Sequence, residues 1–206
     1  MAKIKVLVVD DHLVVRMGVA ALLSAEADID VIGEAKDGEE ALRMALCLKP
    51  DVILMDLVMP RKDGIAATAE LRARLPATRV LILTSYSTSD GIAQALEAGA
   101  SGAFMKSDEN ESLAHAIRAI HSGGRCIPSG VKRLLSDDPP IPRLSPRQRE
   151  ILASITHGLS NDDIAKQLGI SKGSVKTHIL LLFQKLGAAT RAEAVAIALR
   201  KRLMKV

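Results

Sequence analysis

Ile4-Lys5-Val6-Leu7-Val8-Val9-Asp10-Asp11 and Asp51-Val52-Ile53-Leu54-Met55-Asp56 decide how this chain folds. Each is a short aliphatic run that stops on carboxylates. Such runs read as buried strands of a parallel sheet. The acids then stand at the C-terminal edge of that sheet, where ligands bind in open α/β folds. Two later runs also end on reactive groups: Val80-Leu81-Ile82-Leu83 on Thr84, and Gly102-Ala103-Phe104-Met105 on Lys106. Three carboxylates at one edge repel one another unless a cation joins them, and hard oxygen ligands suit Mg²⁺. Acids, a hydroxyl and an amine at successive strand ends make a phosphoryl-binding site.

Outward from these runs, the first 122 residues alternate strand and helix patterns. Strands are predicted at 4–9, 29–34, 51–55, 79–84 and 102–105, and helices at 13–25, 38–48, 65–75, 89–98 and 109–122. Alternation of this kind predicts a parallel sheet with helices on both faces. Ser122-Gly123-Gly124-Arg125 stops the last helix, and 129–136 can form a short one. Asp137-Asp138-Pro139-Pro140-Ile141-Pro142 carries three prolines in four residues, which read as an extended linker. From Leu144 onward only helical patterns remain, three or four of them. The expected organisation is a domain over 1–122, a linker over 123–143 and a helical domain over 144–206.

Bulk properties narrow the function. Of 206 residues, 48% are hydrophobic, yet there is one Tyr, two Phe and no Trp. The cores must be aliphatic, and base stacking on aromatic rings is a poor binding mode for this chain. Cys47 and Cys126 have neither metal-ligand nor disulfide-framework spacing. No signal-peptide pattern opens the chain and no apolar run approaches membrane-spanning length, so no membrane partner and a cytoplasmic location are expected. Residues 1–122 hold 13 basic and 18 acidic side chains, a net −5, whereas 123–206 hold 15 and 6, a net +9. An acidic half joined to a basic half suggests separate partners, with nucleic acid a candidate for the second.

Asp10-Asp11, Asp56-Leu57-Val58-Met59-Pro60, Asp63-Gly64, Thr84 and Lys106, in this order and spacing, resemble a two-component receiver domain. The resemblance implies a five-stranded flavodoxin-like fold in which Asp56 accepts phosphate from a sensor histidine kinase. The chemistry agrees: a carboxylate can take a phosphoryl group as an acyl phosphate, and that transfer needs positioning and charge neutralisation above all. Asp10, Asp11 and Asp56 can hold Mg²⁺, Lys106 supplies a point charge, and the Thr84 hydroxyl can reach a phosphate oxygen. One position departs from the pattern. Receivers usually carry an aromatic ring or His three residues before the lysine, and here Ala103 stands there. Phe104 should face the opposite side of the strand, which leaves Tyr86 on the loop after Thr84 as a substitute ring.

Residues 144–206 resemble the LuxR/NarL-type helix-turn-helix domain through Leu144-Ser145-Pro146-Arg147-Gln148-Arg149-Glu150, Gly158-Leu159-Ser160-Asn161-Asp162-Asp163-Ile164, Leu168-Gly169-Ile170-Ser171 and Val175-Lys176-Thr177-His178. Ser145, Ser160 and Ser171 read as helix caps, Pro146 as a first helical residue and Gly169 as a helix stop. The helix after Ser171 should bury Val175, Ile179, Leu182 and Leu186. Its other face can enter the major groove of a double-stranded DNA operator, with Lys176 and Thr177 toward base edges. Lys172, Ser174 and His178 are placed toward phosphates, His178 having a packed core position as its alternative. Leu180 and Leu181 depart from the family's usual basic residue and Asn.

The order receiver, linker, helix-turn-helix resembles a response regulator of the NarL/FixJ type. It implies a homodimer in the active state and control of transcription through phosphate on Asp56. The rival reading is an atypical, phosphorylation-independent regulator acting through protein–protein contacts, for which Ala103 and Leu180 speak. Nothing points to turnover of an external substrate, so the chain is not read as an enzyme.

Overall fold

The structure, a computed structural model, describes residues 3–84, 89–106, 112–201 and 203. Tyr86, residues 109–111 and the side chain of Thr84 lie outside the described part. The chain divides into two compact units, Met1–Pro139 and Pro140–Val206.

In the first unit, β1 (Ile4–Val9), β2 (Ile29–Ala35), β3 (Val52–Met55), β4 (Arg79–Thr84) and β5 (Gly102–Met105) form one parallel sheet in the order β2-β1-β3-β4-β5. The inner strand β3 and most of β1 and β4 are aliphatic runs because both faces are covered, whereas the edge strand β2 carries Asp30, Gly33 and Glu34 and is only partly buried. Leu7, Val9, Ile53, Met55, Ile82 and Ala103 point to one side. There they meet α2 (Gly38–Leu48), α3 (Gly64–Arg74) and α4 (Ser89–Glu97). Val6, Val8, Leu54, Leu81 and Phe104 point to the other, against α1 (Leu13–Ser24) and α5 (Leu113–His121). Each aliphatic side chain buried this way contributes about 1.5–3 kcal/mol before entropy is counted. The alternation puts Phe104 opposite Ala103, as strand periodicity requires. Strand order reverses at β1/β3, so the crevice at their carboxyl ends lies between Asp10-Asp11 and Asp56.

The segment expected as a linker contains α6 (Ser129–Asp137), and α6 belongs to the first unit. Cys126 bridges Gly102 beside β5: Ala103 N donates to Cys126 O at 3.0 Å and Cys126 N to Ser101 O at 3.3 Å. A Cβ on Gly102 would collide with the Cys126 backbone, so glycine is what permits this approach. Val131 of α6 is fully buried in the cluster that holds Ala103, with Leu134 and Leu135 packed against it. A small residue at 103 leaves room on that face for α6.

The second unit is built from α7 (Pro146–Thr156), α8 (Asn161–Leu168), α9 (Lys172–Leu186) and α10 (Arg191–Arg200) around an aliphatic core of Ile151, Leu152, Ile164, Val175, Leu182 and Ala194. Ser145–Gln148 and Ser160–Asp163 form capping boxes, and the Ser171 hydroxyl accepts from Ser174 N. Gly169 ends α8 in the left-handed region at φ 62°.

Val131→Ala is expected to lower the stability of the first unit by about 1–3 kcal/mol, through lost burial and a residual cavity. The denaturant midpoint measures this; an undocked segment would leave it unchanged.

Candidate functional site

Asp10 follows β1, Asp56 follows β3 and Lys106 follows β5, which brings all three to one edge. The Lys106 ammonium donates to Asp10 Oδ2 and, at 3.2 Å, to Asp56 Oδ1. Asp10 and Asp56 are 2% and 7% exposed. The second oxygen of Asp56 accepts from the Val58 backbone N–H at 3.1 Å. A Cβ on Gly64 would run into the Asp56 carbonyl oxygen, so glycine at the start of α3 lets the loop 57–63 fold against the acid. Burial pushes the Asp56 carboxyl above the usual carboxylate range; Lys106 opposes that rise and the nearby Asp10 charge adds to it.

Asp10 is itself held from two sides. Its carboxylate accepts from His12 N at 2.9 Å, and its carbonyl accepts from the Arg16 guanidinium at 2.7 Å. His12 Nδ1 lies 2.7 Å from Asp11 Oδ1. Asp10, Asp11 and His12 each offer a donor atom within 4.8 Å of the others and can share an ion. Asp10 is buried and Asp11 is exposed, and carboxylate oxygens fit a hard divalent cation. Asp56 stands across Lys106 from this trio. His12 was missed from sequence, although it directly follows the two acids; the Val58 amide and the Arg16 anchor carry no signal in side-chain type. Thr84 closes β4 at the same sheet edge.

In the second unit, α9 buries Val175, Leu182 and Leu186 and half-buries Ile179 and His178. Lys172, Ser174, Lys176, Thr177, Leu180 and Leu181 are exposed. Lys172 pairs with Asp162 at 2.8 Å, and both groups are more than half exposed. An exposed pair of this kind is worth little and exchanges readily for another anion. Ser174 Oγ lies 2.9 Å from Ser171 Oγ, and Thr177 Oγ1 donates to Gly173 O at 3.2 Å. Other basic side chains serve the fold. Arg147 donates to Leu168 O at 3.1 Å, Lys185 to Arg143 O at 2.9 Å, and Arg191 to Leu159 O.

The same two-part division appears in comparison with known proteins. Residues 6–118 match the response regulator receiver domain, and residues 142–198 match the bacterial regulatory proteins of the luxR family. The chain belongs to the two-component response regulators of the NarL/FixJ type, which join these two parts. It is 41% identical to the transcriptional regulatory protein LiaR of Bacillus subtilis over 209 residues, covering 98% of this chain and 99% of LiaR. Among solved structures it is similar to the response regulator ChrA of a heme-sensing two-component system, with 37% identity, a TM-score of 0.60, and 99% and 100% of the two chains covered. RcsB from Salmonella enterica serovar Typhimurium, bound to promoter rprA in the presence of phosphomimetic BeF3⁻, matches with 26% identity, a TM-score of 0.67, and 95% and 98% covered. No helix among the described residues is long and apolar enough to cross a membrane.

Because the Asp56 carboxyl binds its proton more tightly folded than unfolded, its ionised form opposes folding above the folded pKa. That opposition fades as pH falls toward the unfolded value of about 4. Without divalent cation, Asp56→Asn is therefore expected to melt above the unsubstituted protein at about pH 7–8, with the gap closing toward about pH 4. Equal melting temperatures across that range would contradict the burial argument.

Proposed function

We propose that Asp56 is the phosphoacceptor, taking its phosphoryl group from the phosphohistidine of a sensor kinase. An Asp56 carboxylate oxygen forms the new P–O bond as the donor's P–N bond breaks, and the imidazole leaves with the electron pair. The observation that carries this reading is the buried Asp56 carboxylate held between Lys106 Nζ and the Val58 amide, beside Asp10. Lys106 moves its charge onto a phosphate oxygen, and the Thr84 hydroxyl donates to another. Asp10, Asp11 and Asp56 are the residues to hold Mg²⁺, with His12 at the rim. The bound ion would neutralise charge on donor and acceptor oxygens.

The output is DNA binding in the cytoplasm, as a homodimer on paired half-sites, with phosphate on Asp56 raising affinity. The exposed face of α9 supports it: Lys176 and Thr177 toward base edges, and Lys172, Ser174 and His178 toward phosphates. Lys172 would exchange Asp162 for a DNA phosphate. A phosphorylation-independent regulator working only through protein contacts is not favoured, since both halves match their families across the segments in question.

Asp56→Asn should abolish Mg²⁺-dependent labelling by a small phosphodonor, because an amide is not a nucleophile; label at the unsubstituted level on this variant would remove Asp56 from the role. On the output side, Lys176→Ala should cost roughly 1–3 kcal/mol at the specific site and relax preference at one base pair. Leu180→Lys should steepen the salt dependence of DNA binding by about one unit, having added a cation to the groove face. Gel-shift titrations across salt concentrations measure both, and an unchanged slope would place Leu180 away from DNA.

A further inference from the structure

Arg61 has a backbone conformation that its residue type rarely adopts. Its φ is 62°, in the left-handed region that glycine enters freely and side-chain-bearing residues enter at a cost. It lies in the loop 57–63, directly after Asp56, and strained residues gather where the surrounding structure needs a particular geometry. The arginine brings something glycine would not: its guanidinium pairs with Asp37, whose side chain is 3% exposed. Asp37 is also fixed from its own side. It caps α2, its Oδ1 accepting from Glu40 N at 2.8 Å, and that leaves Oδ2 for Arg61.

A second attachment lies next to the first. Gly38 N donates to Lys62 O at 3.1 Å, and a Cβ on Gly38 would meet that same oxygen at 2.7 Å. The loop is thus fastened to the first turn of α2 by consecutive residues, Arg61 through its side chain and Lys62 through its carbonyl. Gly64 N donates to Leu57 O at 3.0 Å and closes the loop at its far end. Between these points sits Val58, whose N–H holds Asp56 Oδ2.

We propose that the Arg61–Asp37 pair positions the phosphoacceptor: it clamps loop 57–63 to α2, so that the Val58 amide presents the Asp56 carboxylate for attack. The role rests on the reading of Asp56 as phosphoacceptor. Arg61 and Asp37 are positioning residues, acting only through the loop and its amide. A small displacement of an attacking group is enough to slow a reaction strongly.

The test compares the full-length protein with Asp37→Asn, Arg61→Gly, Arg61→Lys and the Asp37→Asn/Arg61→Gly double variant. Asn caps a helix as well as Asp, so Asp37→Asn keeps α2 and loses only the charge. Arg61→Gly removes the pair while relieving the backbone. Labelling by acetyl phosphate at saturating Mg²⁺ should slow by about tenfold in each of these two variants. The double variant should be no slower than either single, since both break one contact. Arg61→Lys keeps a cation and should retain most of the rate. Amide hydrogen exchange at Val58 should quicken by a similar factor, while the Mg²⁺ concentration for half-maximal rate stays within about twofold, Asp10 and Asp11 being intact. Normal labelling of both single variants would overturn the clamp, as would single effects that multiply in the double variant or a matching loss of Mg²⁺ affinity. Absence of label on the unsubstituted protein would instead remove the assignment of Asp56, and this role with it.

Discussion

A carboxylate that is 7% exposed, with a lysine ammonium 3.2 Å away, is the interaction on which the first unit turns. Burying a charge is costly unless it is paired and hydrogen-bonded, so the fold must deliver a cation to Asp56. It does so from β5, two strands away in the sheet. Strands stand about 4.8 Å apart, so a partner on β5 must reach across roughly 10 Å, and a long side chain at the sheet edge can. Because the same ammonium also bonds Asp10, the end of β1 is tied to the ends of β3 and β5. The cost of the arrangement shows in the raised pKa of Asp56, where desolvation outweighs the attraction of Lys106.

Small residues make the close backbone approaches of this unit possible. Gly64 admits the Asp56 carbonyl, Gly38 admits the Lys62 carbonyl, and Gly102 admits the backbone of Cys126. None of them supplies chemistry, and each lets one backbone reach another. Ala103 belongs with them. An absent ring at this position speaks, from sequence, for an atypical regulator. In the fold its methyl group lies in the buried cluster that includes Val131 of α6, so this face is occupied by a segment from beyond α5.

The second unit divides its basic residues between two tasks. Arg147, Lys185 and Arg191 bond backbone carbonyls and hold loops to helices, while Lys172 and Lys176 stand on the open face of α9. A net charge of +9 over 123–206 therefore overstates what is available to a polyanion. Leu180 and Leu181, 61% and 45% exposed, keep that face more apolar than its composition suggests.

The sequence by itself determined the sheet and its loaded edge. Uninterrupted aliphatic runs require cover on both faces, and the carboxylates and the amine at the run ends are fixed to the crevice by strand direction alone. The capping serines, the stop at Gly169 and the buried stripe of α9 were legible for the same reason, because local hydrogen bonds and helical spacing settle them. Tertiary structure decided what depends on residues far apart. The short helix at α6 was counted with the linker because the prolines that follow it are a local signal and its docking partner, the β5 face, is not. The Val58 amide became a partner of Asp56, although a backbone N–H looks alike at every position. Arg61 and Asp37, 24 residues apart, meet only after α2 and α3 pack side by side. A side chain's type tells what it can bond, and only the folded chain tells which of its possible partners is within reach.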